Sequence, residues 1–180
     1  MATIENFKTI ILDFDKTLID TSVTQPLRNQ QSKNWDKIYE MIPQCKLYGG
    51  IPELMAFLKN NNIKTGVATF AQREFADRTL KHFNVDVDTI VGHERFMKKK
   101  PNPDSILKVM KKLNSEPTET IGIGDKSTDI HAYKSANLAI TVGCTWGLST
   151  EKEIEELKNS NPDYIIHHPK ELIEITNLIK

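Results

Sequence analysis

The fold and the chemistry of this chain both depend on one stretch near its start, Lys8-Thr9-Ile10-Ile11-Leu12-Asp13-Phe14-Asp15-Lys16-Thr17-Leu18. Residues 9–12 are mostly apolar and partly β-branched, which predicts a buried strand. Alternation along a strand puts Asp13 and Asp15 on the same side, so two carboxylates are expected to converge where the strand ends. Like charges this close repel each other unless a cation lies between them. Two interpretations of the pair are open. In the first, Asp13 is an aspartyl nucleophile, Asp15 is a general acid–base, and Mg2+ balances their charge. In the second, the pair belongs to a strand-end turn whose carboxylates cap backbone N–H groups.

The composition argues against several classes of protein. The 24 basic and 24 acidic residues cancel, so nothing indicates a general affinity for nucleic acid or for an anionic membrane. The five histidines and two cysteines show no zinc-ligand spacing, and so few cysteines favour a reducing compartment. Residues 1–7 are polar, unlike a signal peptide, and no apolar run is long enough to span a bilayer. We therefore expect a cytoplasmic protein with a single domain, residues 1–180.

Predicted strands and helices alternate along most of the chain. Apolar runs predict strands at residues 9–12, 64–69, 88–91, 120–123, 138–142 and 164–166. Helical periodicity falls between them, at residues 51–60, 71–83, 103–113, 130–136, 150–158 and 170–179. This order predicts a three-layer, Rossmann-like α/β fold, a parallel sheet with helices on both faces. In such a fold ligands bind outside the carboxyl ends of the strands.

Residues able to do chemistry follow three more of the predicted strands. Thr69 ends one strand, where its hydroxyl can bind a phosphate oxygen or where it is only a β-branched strand residue. Lys100 precedes Pro-Asn-Pro, and its ammonium can neutralise a phosphoryl group or belong to a solvated basic loop. Asp125 and Asp129 follow a glycine, Gly124, that lets the backbone approach a ligand closely. Asp129 can also cap the helix that begins there.

Read together, these residues resemble the haloacid dehalogenase (HAD) superfamily of phosphohydrolases. The resemblance rests on Asp13-x-Asp15-x-Thr17, the strand-terminal Thr69, Lys100 before Pro-x-Pro, and Gly124-Asp125-x-x-x-Asp129, in the order of the family's four motifs. Tyr48-Gly49-Gly50-Ile51 and Trp146-Gly147 are similar to features of the branch that includes phosphoglycolate phosphatases.

The resemblance implies a role for each of these residues. Asp13 attacks phosphorus and becomes an aspartyl-phosphate, while Asp15 protonates the leaving oxygen and later deprotonates the attacking water. Thr69 and Lys100 bind the phosphoryl oxygens. Mg2+ is held by Asp13, the backbone carbonyl of Asp15, and Asp125, and Asp129 supports the site. This assignment agrees with the general character of phosphoryl transfer, in which positioning and charge neutralisation dominate.

The sequence departs from the family pattern at two residues and in one segment. Lys16 and Phe70 stand where a glycine and a small or polar residue are frequent, which leaves the choice of substrate open. The helical cap usual in this branch is reduced here to residues 19–47, with a loop containing Arg28 and one helix from about 34 to 42. Arg28, Trp35 and Tyr39 are candidates for substrate contact through a small lid, with packing as the alternative for Trp35 and Tyr39.

The resulting prediction is a Mg2+-dependent phosphatase that hydrolyses a phosphomonoester through an aspartyl-phosphate. Its substrate is a small phosphorylated metabolite or a bulkier phosphorylated molecule, with neither nucleic acid nor membrane as a partner and the oligomeric state left open. The alternatives are a phosphotransferase or mutase using the same intermediate, a phosphoprotein phosphatase, and a non-catalytic phospho-ligand-binding module.

Overall fold

The computed structural model describes the backbone of residues 7–178 and the side chains up to residue 176. Most of the polar segment 1–7, and the last residue of the helix predicted at 170–179, lie outside the described residues.

The strands of the described chain form one large sheet and one small hairpin. In chain order they are β1 Thr9–Leu12, β2 Ile19–Asp20, β3 Lys46–Leu47, β4 Lys64–Ala68, β5 Thr89–Val91, β6 Thr120–Gly124, β7 Ile140–Cys144 and β8 Tyr164–Ile166. Six of them form a parallel sheet in the order β5-β4-β1-β6-β7-β8. All six predicted strands of the sheet are therefore confirmed, with ends shifted by two residues at most.

Helices cover both faces of the sheet. In chain order they are α1 Gln25–Arg28, α2 Trp35–Glu40, α3 Ile51–Asn60, α4 Arg73–His82, α5 Asp104–Leu113, α6 Ser127–Ser135, α7 Glu151–Asn159 and α8 Pro169–Leu178, with short 3-10 turns at Ser22–Thr24, Ile42–Gln44 and Pro117–Glu119. One apolar cluster packs α3, α4 and α8 against the sheet, and a second packs α5, α6 and α7. Ile10 and Leu12 belong to the first cluster and Ile11 to the second, as strand alternation requires. The predicted three-layer α/β fold is confirmed.

Parallel pairing brings the carboxyl ends of β1, β4 and β6 to one edge of the sheet. β1 lies between the other two, with Leu12 opposite Val67 on one side and Ile123 on the other. The chain therefore leaves all three strands at neighbouring points, which is where the candidate residues of the sequence lie.

The segment between β2 and β3 is the predicted cap insertion, and it is small. β2 and β3 pair antiparallel through two residues each, and between them lie only α1, α2 and two 3-10 turns. The sequence showed no strand signal here, because two-residue strands are too short to show a periodic pattern. Ile38 and Ile42 are buried in the first cluster, so they pack this segment against the core.

Within residues 7–178 no helix combines the length and the apolar character needed to cross a membrane. Both cysteines, Cys45 and Cys144, are buried and form no disulfide.

Candidate active site

Asp13 is the first residue after β1, and the sheet itself fixes its position. Its backbone N–H donates to the carbonyl of Ile123 in β6 at 2.9 Å, which continues the pairing of the two strands by one residue. Asp13 is 8% exposed, so its carboxylate is buried at the carboxyl edge of the sheet rather than in bulk solvent.

Lys100 lies in the loop after β5, and its side chain reaches the buried carboxylate of Asp13. Its Nζ lies 2.7 Å from Asp13 Oδ1 and 2.7 Å from Asp129 Oδ1, and its side chain is 7% exposed. A buried ammonium bonded to two carboxylates belongs to the site, and the alternative of a solvated basic loop does not hold for this residue. The neighbouring Lys98 is exposed.

Asp129 makes two contacts, one of which is the predicted helix cap. Oδ1 accepts from Lys100, and Oδ2 accepts from the backbone N–H of Lys126 at 3.0 Å, so Asp129 also caps the start of α6. Gly124 allows this arrangement, because a Cβ on Gly124 would lie 2.6 Å from the Cβ of Asp129. Gly124 was predicted to leave room for a ligand, whereas in this structure it leaves room for the Asp129 side chain.

Asp125 follows β6 directly, and its carboxylate points toward the cluster of Asp13, Lys100 and Asp129. Its Oδ1 accepts from the hydroxyl of Thr17 at 3.3 Å. Its Oδ2 is buried and finds no hydrogen-bond partner among the described residues. A buried carboxylate oxygen without a partner is costly, so a ligand is expected there.

The electrostatics of the cluster favour a bound cation. Burial raises the pKa of Asp13 well above its usual range, Lys100 opposes this rise, and Asp129 and Asp125 add to it. Burial, reinforced by Asp129, raises the pKa of Asp125 to about 7. Burial alone would lower the pKa of Lys100, but Asp129 and Asp13 outweigh it and the pKa is raised. One ammonium among three carboxylates leaves net negative charge in a buried place.

The donor set fits a hard divalent cation. Asp13, Asp125 and Asp129 each offer a carboxylate oxygen, and these three atoms lie within 4.8 Å of one another. Oxygen ligands without nitrogen or sulfur suit Mg2+ or Ca2+ better than zinc. The unpartnered Asp125 Oδ2 is the atom that such an ion would satisfy.

Asp15 is held by residues of the reduced cap. Its carboxylate accepts hydrogen bonds from Arg28, with Nη2 2.8 Å from Oδ1 and Nη1 3.3 Å from Oδ2, and from the hydroxyl of Thr21. Because β1 ends at Leu12, strand alternation does not extend to Asp15, and the convergence of the two carboxylates stays a prediction. The backbone carbonyl of Asp15 remains the predicted metal ligand.

The other predicted residues lie at the edge of this arrangement. Thr69 is buried just past β4, and its hydroxyl oxygen accepts from the N–H of Ala71 at 3.0 Å. Tyr39 attaches α2 to α4, because its hydroxyl donates to Gln72 Oε1 at 3.1 Å. Trp35 stacks on Tyr39 with 5.9 Å between ring centroids. None of the contacts described for Trp35 or Tyr39 reaches the carboxylates, and substrate contact by these two residues stays a prediction.

Sequence reasoning missed two residues of the site. Thr21 is buried, donates to Asp15 and accepts from Arg28 Nη2 at 2.7 Å; no motif marks it. Lys126 lies beside the carboxylates: partial burial would lower its pKa, but Asp125, Asp13 and Asp129 outweigh this effect and raise it. Its place directly after Asp125 was the signal that could have identified it.

Comparison with known proteins agrees with this description. The sequence profile described as haloacid dehalogenase-like hydrolase matches residues 24–142, more than half of the chain. A relative from Aquifex aeolicus named phosphoglycolate phosphatase is 30% identical over 164 residues, which are 89% of this chain and 74% of the relative. A relative from Caldanaerobacter subterraneus, provisionally named pyrophosphatase PpaX, is 37% identical over 132 residues, 72% of this chain and 58% of its own length.

The fold has equally clear counterparts. The crystal structure of a hydrolase from Pseudomonas syringae superimposes with a TM-score of 0.74 at 21% identity, covering 96% of this chain and 99% of that one. A HAD-superfamily hydrolase of subfamily IA from Geobacter sulfurreducens gives a TM-score of 0.70 at 18% identity, and the match covers 94% of this chain and 99% of that one.

The sheet order and the buried carboxylates at its edge define an α/β protein with an acidic site of the kind that holds a divalent cation. More particularly, the chain belongs to the haloacid dehalogenase-like hydrolase family. The chain spans 58% of the length of the Caldanaerobacter relative and 61% of a relative from Clostridium perfringens that is also provisionally named pyrophosphatase PpaX.

Proposed function

We propose that this protein is a Mg2+-dependent phosphatase that hydrolyses a phosphomonoester through an aspartyl-phosphate on Asp13. The observation that carries the proposal is the buried group of Asp13, Asp125 and Lys100, in which one carboxylate is bonded to an ammonium and another has an unpartnered oxygen. A nucleophilic carboxylate beside a fixed cation is what phosphoryl transfer requires.

The first half of the reaction transfers the phosphoryl group to the protein. A carboxylate oxygen of Asp13 attacks phosphorus, and the bond from phosphorus to the leaving oxygen breaks. Asp15 gives its proton to that oxygen, so the product departs as an alcohol. Lys100, held 2.7 Å from Asp13, neutralises charge on the transferring group, and the hydroxyl of Thr69 supplies a hydrogen bond to it.

The second half regenerates Asp13. Asp15, now ionised, takes a proton from water, and the water oxygen attacks the phosphorus of the aspartyl-phosphate. The bond between phosphorus and Asp13 breaks and inorganic phosphate is released. Asp13, Asp125 and the backbone carbonyl of Asp15 would hold Mg2+, which when bound supplies positive charge against the phosphate oxygens. Asp129 keeps Lys100 in place.

The names of the relatives indicate which substrates to test first. Relatives are named phosphoglycolate phosphatase and pyrophosphatase PpaX, so phosphoglycolate and pyrophosphate head a panel of phosphorylated compounds. The two buried, unbridged cysteines favour action in a reducing compartment such as the cytoplasm.

The direct test is hydrolysis of p-nitrophenyl phosphate with and without Mg2+. We expect Mg2+-dependent turnover by the wild type and a loss of at least about 1,000-fold in Asp13→Asn, which keeps the shape but removes the nucleophilic charge. Asp77→Asn is the matched control, because the bond recorded for Asp77 within the described part of the chain is to exposed Lys81. Equal rates in the wild type and Asp13→Asn would contradict the proposal. Phosphate that appears on an added alcohol instead of water would identify a transferase with the same intermediate.

A further inference from the structure

Arg28 and Thr21 are the two residues of the reduced cap for which the described structure records a bond to a proposed catalytic side chain, and Arg28 is the charged one. Its guanidinium forms the two-pronged pair with Asp15 described above. The Arg28 side chain is 11% exposed and that of Asp15 is 26% exposed, so solvent screens the pair only in part. A guanidinium fork matches a carboxylate in direction as well as in charge.

Further contacts fix the guanidinium from other sides. Arg28 Nη2 also donates to Thr21 Oγ1 at 2.7 Å and to Gln25 Oε1 at 2.8 Å. The guanidinium carbon lies 4.9 Å from the ring centroid of Phe75, which is fully buried. Thr21 in turn donates to Asp15, so the carboxylate is held by two side chains that are themselves bonded to each other.

These contacts argue against the hypothesis that Arg28 is primarily a substrate contact. Its Nη2 group already donates to Asp15, Thr21 and Gln25, and Nη1 donates to Asp15, so most of its recorded bonds hold the cap and Asp15 together. The buried Nε–H has no partner among the described residues. The arrangement resembles the second layer of bonds by which proteins hold a catalytic group in one orientation.

We propose that Arg28 is a positioning residue whose guanidinium holds the Asp15 carboxylate where it exchanges a proton with the leaving oxygen. The inference rests on the proposed function and adds a purpose for the small insertion between β2 and β3. Asp15 stands in a loop beyond β1, where its backbone forms an isolated bridge with Ile19 but belongs to no strand. Without Arg28, Thr21 is the remaining side chain among the described residues that bonds the Asp15 carboxylate, and misplacement of a proton donor by about 1 Å can cost on the order of 100-fold in rate.

Proton donation matters most for a poor leaving group, and this gives the test. We would measure kcat and KM for alkyl phosphates and for aryl phosphates of graded leaving-group acidity, because kcat/KM reports steps up to phosphoryl transfer to Asp13. In Arg28→Gln we expect kcat/KM to fall about 100-fold for alkyl phosphates and less than about 10-fold for p-nitrophenyl phosphate. The fall should lie in kcat rather than in KM.

Two further variants make the comparison decisive. Arg95→Gln is a control, because Arg95 also lies over an aromatic ring, that of Phe96, and neither residue is a candidate for catalysis or substrate contact. We expect this variant to change kcat/KM by less than about twofold for every substrate. Arg28→Lys keeps the charge without the fork, so it should recover part of the loss for alkyl phosphates.

Three results would overturn the inference. An equal loss for all substrates in Arg28→Gln would indicate a general structural role. A rise in KM alone would indicate substrate binding. No change for alkyl phosphates would remove any role in the reaction. A wild type that is inactive on every phosphate would instead count against the proposed function.

Discussion

Lys100 Nζ lies 2.7 Å from Asp13 Oδ1, although 87 positions separate the two residues in the chain. The pair joins the loop after β5 to the end of β1, and the same ammonium reaches Asp129 at the start of α6. Three segments that follow different strands are therefore held together by one buried cation. Removing that cation leaves two buried carboxylates facing each other, which is costly for stability as well as for the proposed chemistry.

Lys100→Met tests this relationship, because methionine keeps the length of the side chain and removes the charge. We expect a loss of about 3 kcal/mol in the free energy of unfolding, measured in urea. We expect kcat on p-nitrophenyl phosphate to fall at least about 100-fold. Lys98→Met, two residues away and exposed, should differ from the wild type by less than about 0.5 kcal/mol. Equal stability of the two variants would contradict a structural role for the Lys100 pairs.

The burial of Asp125 leads to a prediction about how the stability of the protein depends on pH and on Mg2+. Burial raises its pKa in the metal-free folded protein to about 7, against 3.8 in an unfolded chain. Between these values the folded state holds more protons, so this group's contribution to stability is full below pH 3.8 and is lost as the pH rises through about 7. The raised pKa of Asp13 acts in the same direction.

Mg2+ should reverse this loss, because it binds the ionised carboxylates. We expect the rise in Tm on replacing EDTA with Mg2+ to be larger at pH 8 than at pH 5.5. Asp125→Asn should abolish that rise and should stabilise the metal-free protein at pH 8, since it removes a buried charge. A Tm of Asp125→Asn that still responds to Mg2+ as the wild type does would place the ion elsewhere.

Most of the sheet could be predicted from the sequence for a clear physical reason. Each central strand is buried on both faces, so its run of apolar residues contrasts with the polar turns that follow it. The carboxyl ends of parallel strands meet at one edge, and that rule alone brought Asp13, Asp125, Asp129 and Lys100 together. Thr69 lies at the same edge by the same rule.

The parts that could not be predicted lack a periodic pattern. β2 and β3 are two residues long, and α1 has only four residues, none of them buried. Arg28 and Thr21 reach Asp15 through this irregular segment, so their contacts depend on loop geometry that composition does not specify. The alternation rule applies only as far as β1 extends, so it does not determine the contacts of the Asp15 side chain.

The Gly124→Ala substitution is expected to disrupt the site although it replaces no charged residue. The added Cβ would lie 2.6 Å from the Cβ of Asp129 and 2.8 Å from its Oδ2, so the Asp129 side chain must move away from Lys100 and from the cap of α6. We expect unfolding in urea to show a loss of about 1–3 kcal/mol and kcat on p-nitrophenyl phosphate to fall at least about 10-fold. Gly49→Ala is the control, since nothing lies within 4 Å of its added Cβ. Wild-type activity in Gly124→Ala would mean that the contacts of Asp129 do not support catalysis.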